Sequence, residues 1–167
     1  MEITEEIRSK IRNIKLLLMD CDGVLTDGRL YYSNNGEELK AFHVHDGQGI
    51  VNWHKAGYVS GIITGRGSEI LSKRASELGI RYLHQNSANK IKDFEKIIEK
   101  ENISASEVAY IGDDISDLEL LKIVGVSVGV KNCVEEVKRN VLVRTNKHGG
   151  FGAVRELVDL ILDNKSK

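Results

Sequence analysis

Short apolar runs alternate with longer mixed stretches along this chain of 167 residues. Lys15–Met19 (KLLLM) is almost continuously apolar, the pattern of a strand buried on both faces. Tyr58–Thr64 (YVSGIIT), Ile80–Leu83, Val108–Ile111, Val126–Val128 and Val141–Val143 repeat it. Between these runs the apolar residues recur at three- and four-residue steps, as on one face of a helix. Ile70, Leu71, Ala75 and Leu78 do so, and so do Ile91, Phe94, Ile97 and Ile98. Leu118 and Leu121 follow the fourth run, and Val154, Leu157, Val158 and Ile161 form a closing helix. Gly79 and Gly125 stand where helices should stop. Strands that alternate with helices predict an α/β fold, a doubly wound parallel sheet.

Leu30–His45 breaks the alternation and reads as two short strands around Ser33-Asn34-Asn35-Gly36, with Asn35-Gly36 a strong hairpin turn signal. His43 and His45 would then share one face of a strand. The predicted β-hairpin insert, about residues 28–45, follows the first strand and should stand above its end. It is too short to cap the site as a separate domain. A hairpin with two open edges is marginal alone. Pairing with the same hairpin in other copies would cover those edges, which predicts an oligomer.

Hydrophobic residues make up 41% and charged residues 29%, values of a globular chain. The length suits one domain spanning residues 1–167. A formal net charge of −1 gives no global attraction to nucleic acid or to an anionic membrane, so neither partner is expected. No apolar run approaches the ~20 residues of a membrane span. Met1–Arg12 is charged and lacks the apolar core of a signal peptide, so a cytoplasmic setting is expected. Cys21 and Cys133 form no CxxC pair, and Cys21 reads as packing.

Open parallel sheets bind ligands beyond the carboxyl ends of their strands. Asp20 and Asp22 follow the first run, Thr64, Gly65 and Arg66 the second, and Lys90 lies after the third. Asp113, Asp114 and Asp117 follow the fourth. Each signal has an ordinary reading by itself. Asp-Cys-Asp-Gly is good turn material, and acids favour the first turn of a helix. A lone lysine is usually solvated. Together they fall on the strand ends where a site belongs. Carboxylates crowded there repel one another unless a cation compensates, and hard oxygen ligands suit Mg²⁺. A carboxylate could then attack phosphorus while a second one handles the leaving-group proton.

These motifs resemble those of the haloacid dehalogenase-like phosphatase superfamily, in order and over nearly the whole chain. Asp20-Cys21-Asp22-Gly23-Val24-Leu25-Thr26 is similar to its first motif and Ile63-Thr64-Gly65-Arg66 to its second. Lys90 matches the third, and Gly112-Asp113-Asp114-Ile115-Ser116-Asp117 the fourth. The resemblance implies Asp20 as nucleophile and Asp22 as general acid/base, with Thr64 and Lys90 completing the catalytic set. It implies Mg²⁺ held by Asp20, Asp22 through its main-chain carbonyl, and Asp113, with Asp114 and Asp117 in support. The small hairpin and the tail His148–Glu156 are similar to the capless tetrameric branch, in which hairpins of four subunits form a shared barrel. That likeness implies a homotetramer acting on a small sugar-acid phosphate in lipopolysaccharide precursor synthesis. A 3-deoxyoctulosonate phosphate stands ahead of other sugar or nonulosonate phosphates. Thr26, Asp46, Gly47, Gly65 and Arg66 are the expected substrate-binding positions. Gly149-Gly150-Phe151-Gly152 reads as a mobile flap or a helix lead-in. The competing reading from another class is a phosphoacceptor receiver domain. Such domains place their phosphorylated Asp after the third strand, an order not seen here.

Overall fold

The computed structural model describes residues 4–36 and 38–165. Eight strands and seven helices alternate along them. The strands are β1 Leu16–Met19, β2 Tyr31–Tyr32, β3 Glu38–Leu39, β4 Val59–Ile63, β5 Tyr82–His84, β6 Val108–Gly112, β7 Val126–Gly129 and β8 Val143–Arg144. The helices are α1 Glu5–Arg12, α2 Val44–Lys55, α3 Glu69–Leu78, α4 Lys90–Glu101, α5 Leu118–Ile123, α6 Glu135–Arg139 and α7 Ala153–Lys165. Each of the six predicted runs overlaps a strand of one sheet, the last at Val143 only, in the order β5-β4-β1-β6-β7-β8. Every pairing in it is parallel.

β1 lies between β4 and β6, and all four of its residues are buried, as the continuous apolar run requires. From β1 the chain winds outward through β4 to β5, then crosses back to β6 and winds outward the other way. With right-handed crossovers the two directions put helices on opposite faces. α7 packs on both α2 and α1, and α4 packs on α5. The reversal leaves a crevice at the carboxyl end of β1.

Local chemistry accounts for the element ends. Gly79 closes α3 in the left-handed conformation at φ +68°, as expected. Gly125 does something else. α5 ends at Ile123 with Val124 extended, and a Cβ on Gly125 would sit 1.9 Å from the Ser106 carbonyl oxygen. This glycine is therefore demanded by close backbone approach rather than by a helix cap.

The insert departs from expectation in extent. Its paired part is only Tyr31–Tyr32 against Glu38–Leu39, with Gly36 at φ +77° in the turn and Glu37 outside the described residues. From Val44 onward the chain is helical, so the two-strand reading of 30–45 is too long. His43 caps α2 by accepting from the His45 N–H at 3.2 Å, and the pair is not on a strand face. The alternation of Phe42 and Val44 with His43 and His45 looks like a strand locally. Burial of Ile50 and Trp53 on the helix wins.

Candidate active site

The turn after β1 is drawn tight by one carbonyl. Cys21 C=O accepts from the N–H groups of Val24, Leu25 and Thr26 at 2.9–3.2 Å. Gly23 sits in it at φ +92°, and a Cβ there would lie 2.1 Å from Asp113 Oδ2. Only glycine lets the β1 and β6 loops close on each other. Asp20 and Asp22 project from this turn into the crevice, while Cys21 between them is buried in the core.

Thr64 and Gly65, which follow β4, and Arg66 form the opposite wall. Lys90 is the first residue of α4, capped by Asn89, and only 8% of it is exposed. Its Nζ lies 3.1 Å from Asp20 Oδ1 and 2.7 Å from Asp117 Oδ1. Burial works against its charge, but the two carboxylates outweigh that and raise its pKa. Asp113 and Asp114 follow β6 and line the crevice as well. The structure thus gathers Asp20, Asp22, Thr64, Gly65, Arg66, Lys90, Asp113 and Asp114 around one opening.

Asp117 is fully buried beneath them. Its Oδ1 accepts from Lys90 and from the Tyr110 hydroxyl at 2.6 Å, and its Oδ2 from the N–H groups of Asp113 at 2.9 Å and Asp114 at 3.2 Å. Both oxygens are committed to organising the loop and the lysine. Asp113 Oδ1, by contrast, is buried and accepts no hydrogen bond, and Asp20 Oδ1 has its ion pair with Lys90 alone. Burial and then Asp117 push the Asp20 carboxyl up to about 6, with Lys90 opposing. Burial, Asp117 and Asp20 push that of Asp113 up to about 7. Asp20, Asp113 and Asp117 each offer an oxygen within 4.8 Å of the others. Hard, crowded and partly unpartnered carboxylate oxygens fit a divalent cation such as Mg²⁺.

Three expected substrate-binding residues lie elsewhere. Thr26 is buried, and its Oγ1 accepts from the Gly28 N–H at 3.2 Å within the turn. Asp46 is 1% exposed and caps α7, accepting from Gly152 N–H at 3.1 Å and Arg155 N–H at 2.8 Å. Gly47 gives room to the Arg74 guanidinium, which a Cβ would meet at 2.4 Å. Asp46 and Gly47 line a small apolar niche with Leu25 and Phe42 instead of the crevice. Of the two readings of the tail glycines, helix lead-in describes their contacts. Gly150 N–H donates to Val24 C=O at 2.8 Å, and Gly152 is held by Asp46.

The hairpin contributes groups that no motif indicated. Lys40 Nζ lies 2.5 Å from Asp22 Oδ1, and Tyr32 OH accepts from Arg66 at 2.8 Å. A lone lysine after a short strand carries no sequence signal that separates it from a solvated one.

An acidic turn at the end of a central parallel strand, with a buried lysine and a second acidic loop beside it, defines a class. The model of the haloacid dehalogenase-like hydrolase family matches residues 68–156, and this chain belongs to that family. It is 42% identical over 160 residues to the 3-deoxy-D-manno-octulosonate 8-phosphate phosphatase KdsC of Escherichia coli (strain B / BL21-DE3), covering 96% of this chain and 85% of that protein. The crystal structure of the Yersinia pestis 3-deoxy-D-manno-octulosonate 8-phosphate phosphatase superposes with a TM-score of 0.96 at 39% identity, over 98% of this chain and 88% of that one. The Moraxella catarrhalis phosphatase of the same name, in complex with magnesium ion, phosphate ion and a KDO molecule, gives 0.95 at 40% identity over 98% and 94%. Family membership sets the receiver-domain reading aside. Among the described residues no helix is long and apolar enough to cross a membrane.

Proposed function

We propose that this chain, as a single hydrolase domain, cleaves 3-deoxy-D-manno-octulosonate 8-phosphate to the free sugar acid and phosphate. The observation that carries the reaction type is the Asp20 carboxylate, buried at the end of β1 with its Oδ1 paired to Lys90 Nζ at 3.1 Å. An Asp20 oxygen attacks phosphorus, and the bond from phosphorus to the sugar oxygen breaks. Asp22 gives its proton to the departing alkoxide. Asp22 then takes a proton from water as the water oxygen attacks the aspartyl-phosphate. The bond from phosphorus to Asp20 breaks, and its electron pair returns to the carboxylate. Lys90 balances the charge of Asp20 throughout, and the Thr64 hydroxyl is placed to donate to a phosphoryl oxygen. Asp20, Asp113 and the Asp22 carbonyl would hold Mg²⁺, which when bound would supply positive charge where nucleophile and phosphate repel each other.

The substrate reading rests on the named relatives and on Arg66, which lines the crevice and is suited to the carboxylate of a sugar acid. The test is phosphate release from a panel of phosphomonoesters with Mg²⁺, EDTA serving as control. The octulosonate ester is expected to exceed ribose 5-phosphate and p-nitrophenyl phosphate by at least about 100-fold in kcat/KM. Equal rates across the panel would sink the assignment. Leu30, Tyr31, Tyr32, Leu39 and Val44 are large apolar residues that stand 42–73% exposed on and beside the hairpin. A shared barrel of four copies, as the family resemblance implies, would bury them. Light scattering on the eluting peak of a size-exclusion column is expected to give four times 18.6 kDa, and a monomer alone would refute the barrel.

A further inference from the structure

Four charged side chains of alternating sign close a ring above Asp20. Lys40 Nζ lies 2.5 Å from Asp22 Oδ1 and 3.2 Å from Glu38 Oε1. Arg66 reaches the same two acids from the other side, with Nε 3.6 Å from Asp22 Oδ2 and Nη2 3.5 Å from Glu38 Oε1. The two cations are not equivalent. The Arg66 side chain is 44% exposed, whereas that of Lys40 is 2% exposed. An exposed arginine can swing to an incoming anion. A buried ammonium cannot leave its partners without stranding its charge.

Lys40 therefore fixes one oxygen of Asp22. Oδ1 receives the ammonium, while Oδ2 accepts no hydrogen bond. From this geometry we infer that Lys40 is the positioning residue for the proton-transfer carboxylate. It holds Oδ1 and leaves Oδ2 as the oxygen that delivers and recovers the proton. The hairpin thereby completes the acid/base group of the core, in addition to any role between subunits. This inference rests on the phosphatase reading above and names a role that none of the sequence motifs assigns. Three features set Lys40 apart from an ordinary surface pair. It is buried, its target is the carboxylate given the proton-transfer role, and it comes from a segment outside the central sheet. A carboxylate that must act first as acid and then as base needs one fixed orientation through both halves of the reaction, which a second anchor provides.

The test is a double-mutant cycle between Lys40 and Asp22 on the full chain with Mg²⁺ and the best substrate of the panel. Lys40→Met is expected to lower kcat by about 30-fold, a part of the 10²–10⁴ that positioned proton transfer contributes, with KM changed less than about threefold. In an Asp22→Asn background the same substitution should cost nothing further, because the group it positions is gone. A loss of equal size in both backgrounds, or a kcat within threefold of wild type, overturns the inference. If Lys40→Met loses its folded circular dichroism spectrum, Lys40→Arg takes its place in the cycle. Its charge is kept and its reach altered, and a loss confined to the Asp22 background is again required. Failure of the phosphatase reading would look different, because the wild-type protein would then release phosphate from no ester of the panel before any substitution is made.

Discussion

Asp20→Asn is expected to abolish phosphate release, by about 10⁴-fold or more, while the metal-free protein unfolds at the same temperature or higher. The loss follows because an amide has no anionic oxygen with which to attack phosphorus, and Asp22, the other carboxylate of the turn, is engaged by Lys40. Retained stability follows from the crowding. Asp20 is 7% exposed, and burial together with Asp117 pushes its pKa up to about 6, so its charge is a burden when no cation is bound. The neutral variant removes that repulsion. Lys90 keeps a partner, since Asp117 Oδ1 remains 2.7 Å away. Phosphate release and thermal unfolding, each with and without Mg²⁺, check both halves. Wild-type turnover in this variant would refute Asp20 as nucleophile.

Mg²⁺ should stabilise the wild-type protein, and the gain should grow as pH rises from about 5 to about 8. The folded-state pKa values of Asp20 and Asp113 lie near 6 and 7, above the ordinary 3.8 that applies to the unfolded chain. Between about pH 4 and pH 7 the unfolded chain therefore binds fewer protons than the folded one, and the metal-free fold loses stability as pH rises. A cation competes with those protons, so it binds best where both carboxyls are ionised. At a hundredfold excess over its dissociation constant it adds about 3 kcal/mol. That is roughly 6–10 °C in Tm for a chain of this size. Asp113→Asn should shrink the Mg²⁺-dependent shift to within about 2 °C, because it neutralises a buried carboxylate whose Oδ1 accepts no hydrogen bond. A shift that is independent of pH, or unchanged in Asp113→Asn, would place the cation elsewhere. Differential scanning fluorimetry across that pH range measures it.

The site was legible in the sequence wherever it was local. Asp20, Thr64, Lys90 and Asp113 each sit at or shortly after a strand whose apolar run announces it, and a parallel sheet brings such ends to one edge. Asp46 and Thr26 show where locality fails. A polar residue near a motif can serve the crevice or satisfy orphan backbone groups, and only its neighbours decide. Asp46 is taken by the N–H groups of Gly152 and Arg155, more than a hundred positions away. α2 was missed for a similar reason. Its first turn follows directly on strand-like alternation, and the burial that makes it a helix comes later, at Ile50 and Trp53.

The order of apolar and mixed segments by itself determined the parallel sheet, its six strands and the acids at their tips. Burial on both faces is written in contiguous residues, and strand ends are written beside them. The tertiary structure alone decided which charges meet. It set Lys90 between Asp20 and Asp117, gave Asp117 to the backbone of its own loop, and brought Lys40 from the hairpin onto Asp22. The physical reason is that a salt bridge depends on distance in space, to which separation along the chain is blind, whereas the hydrophobic pattern repeats with the local geometry of the backbone.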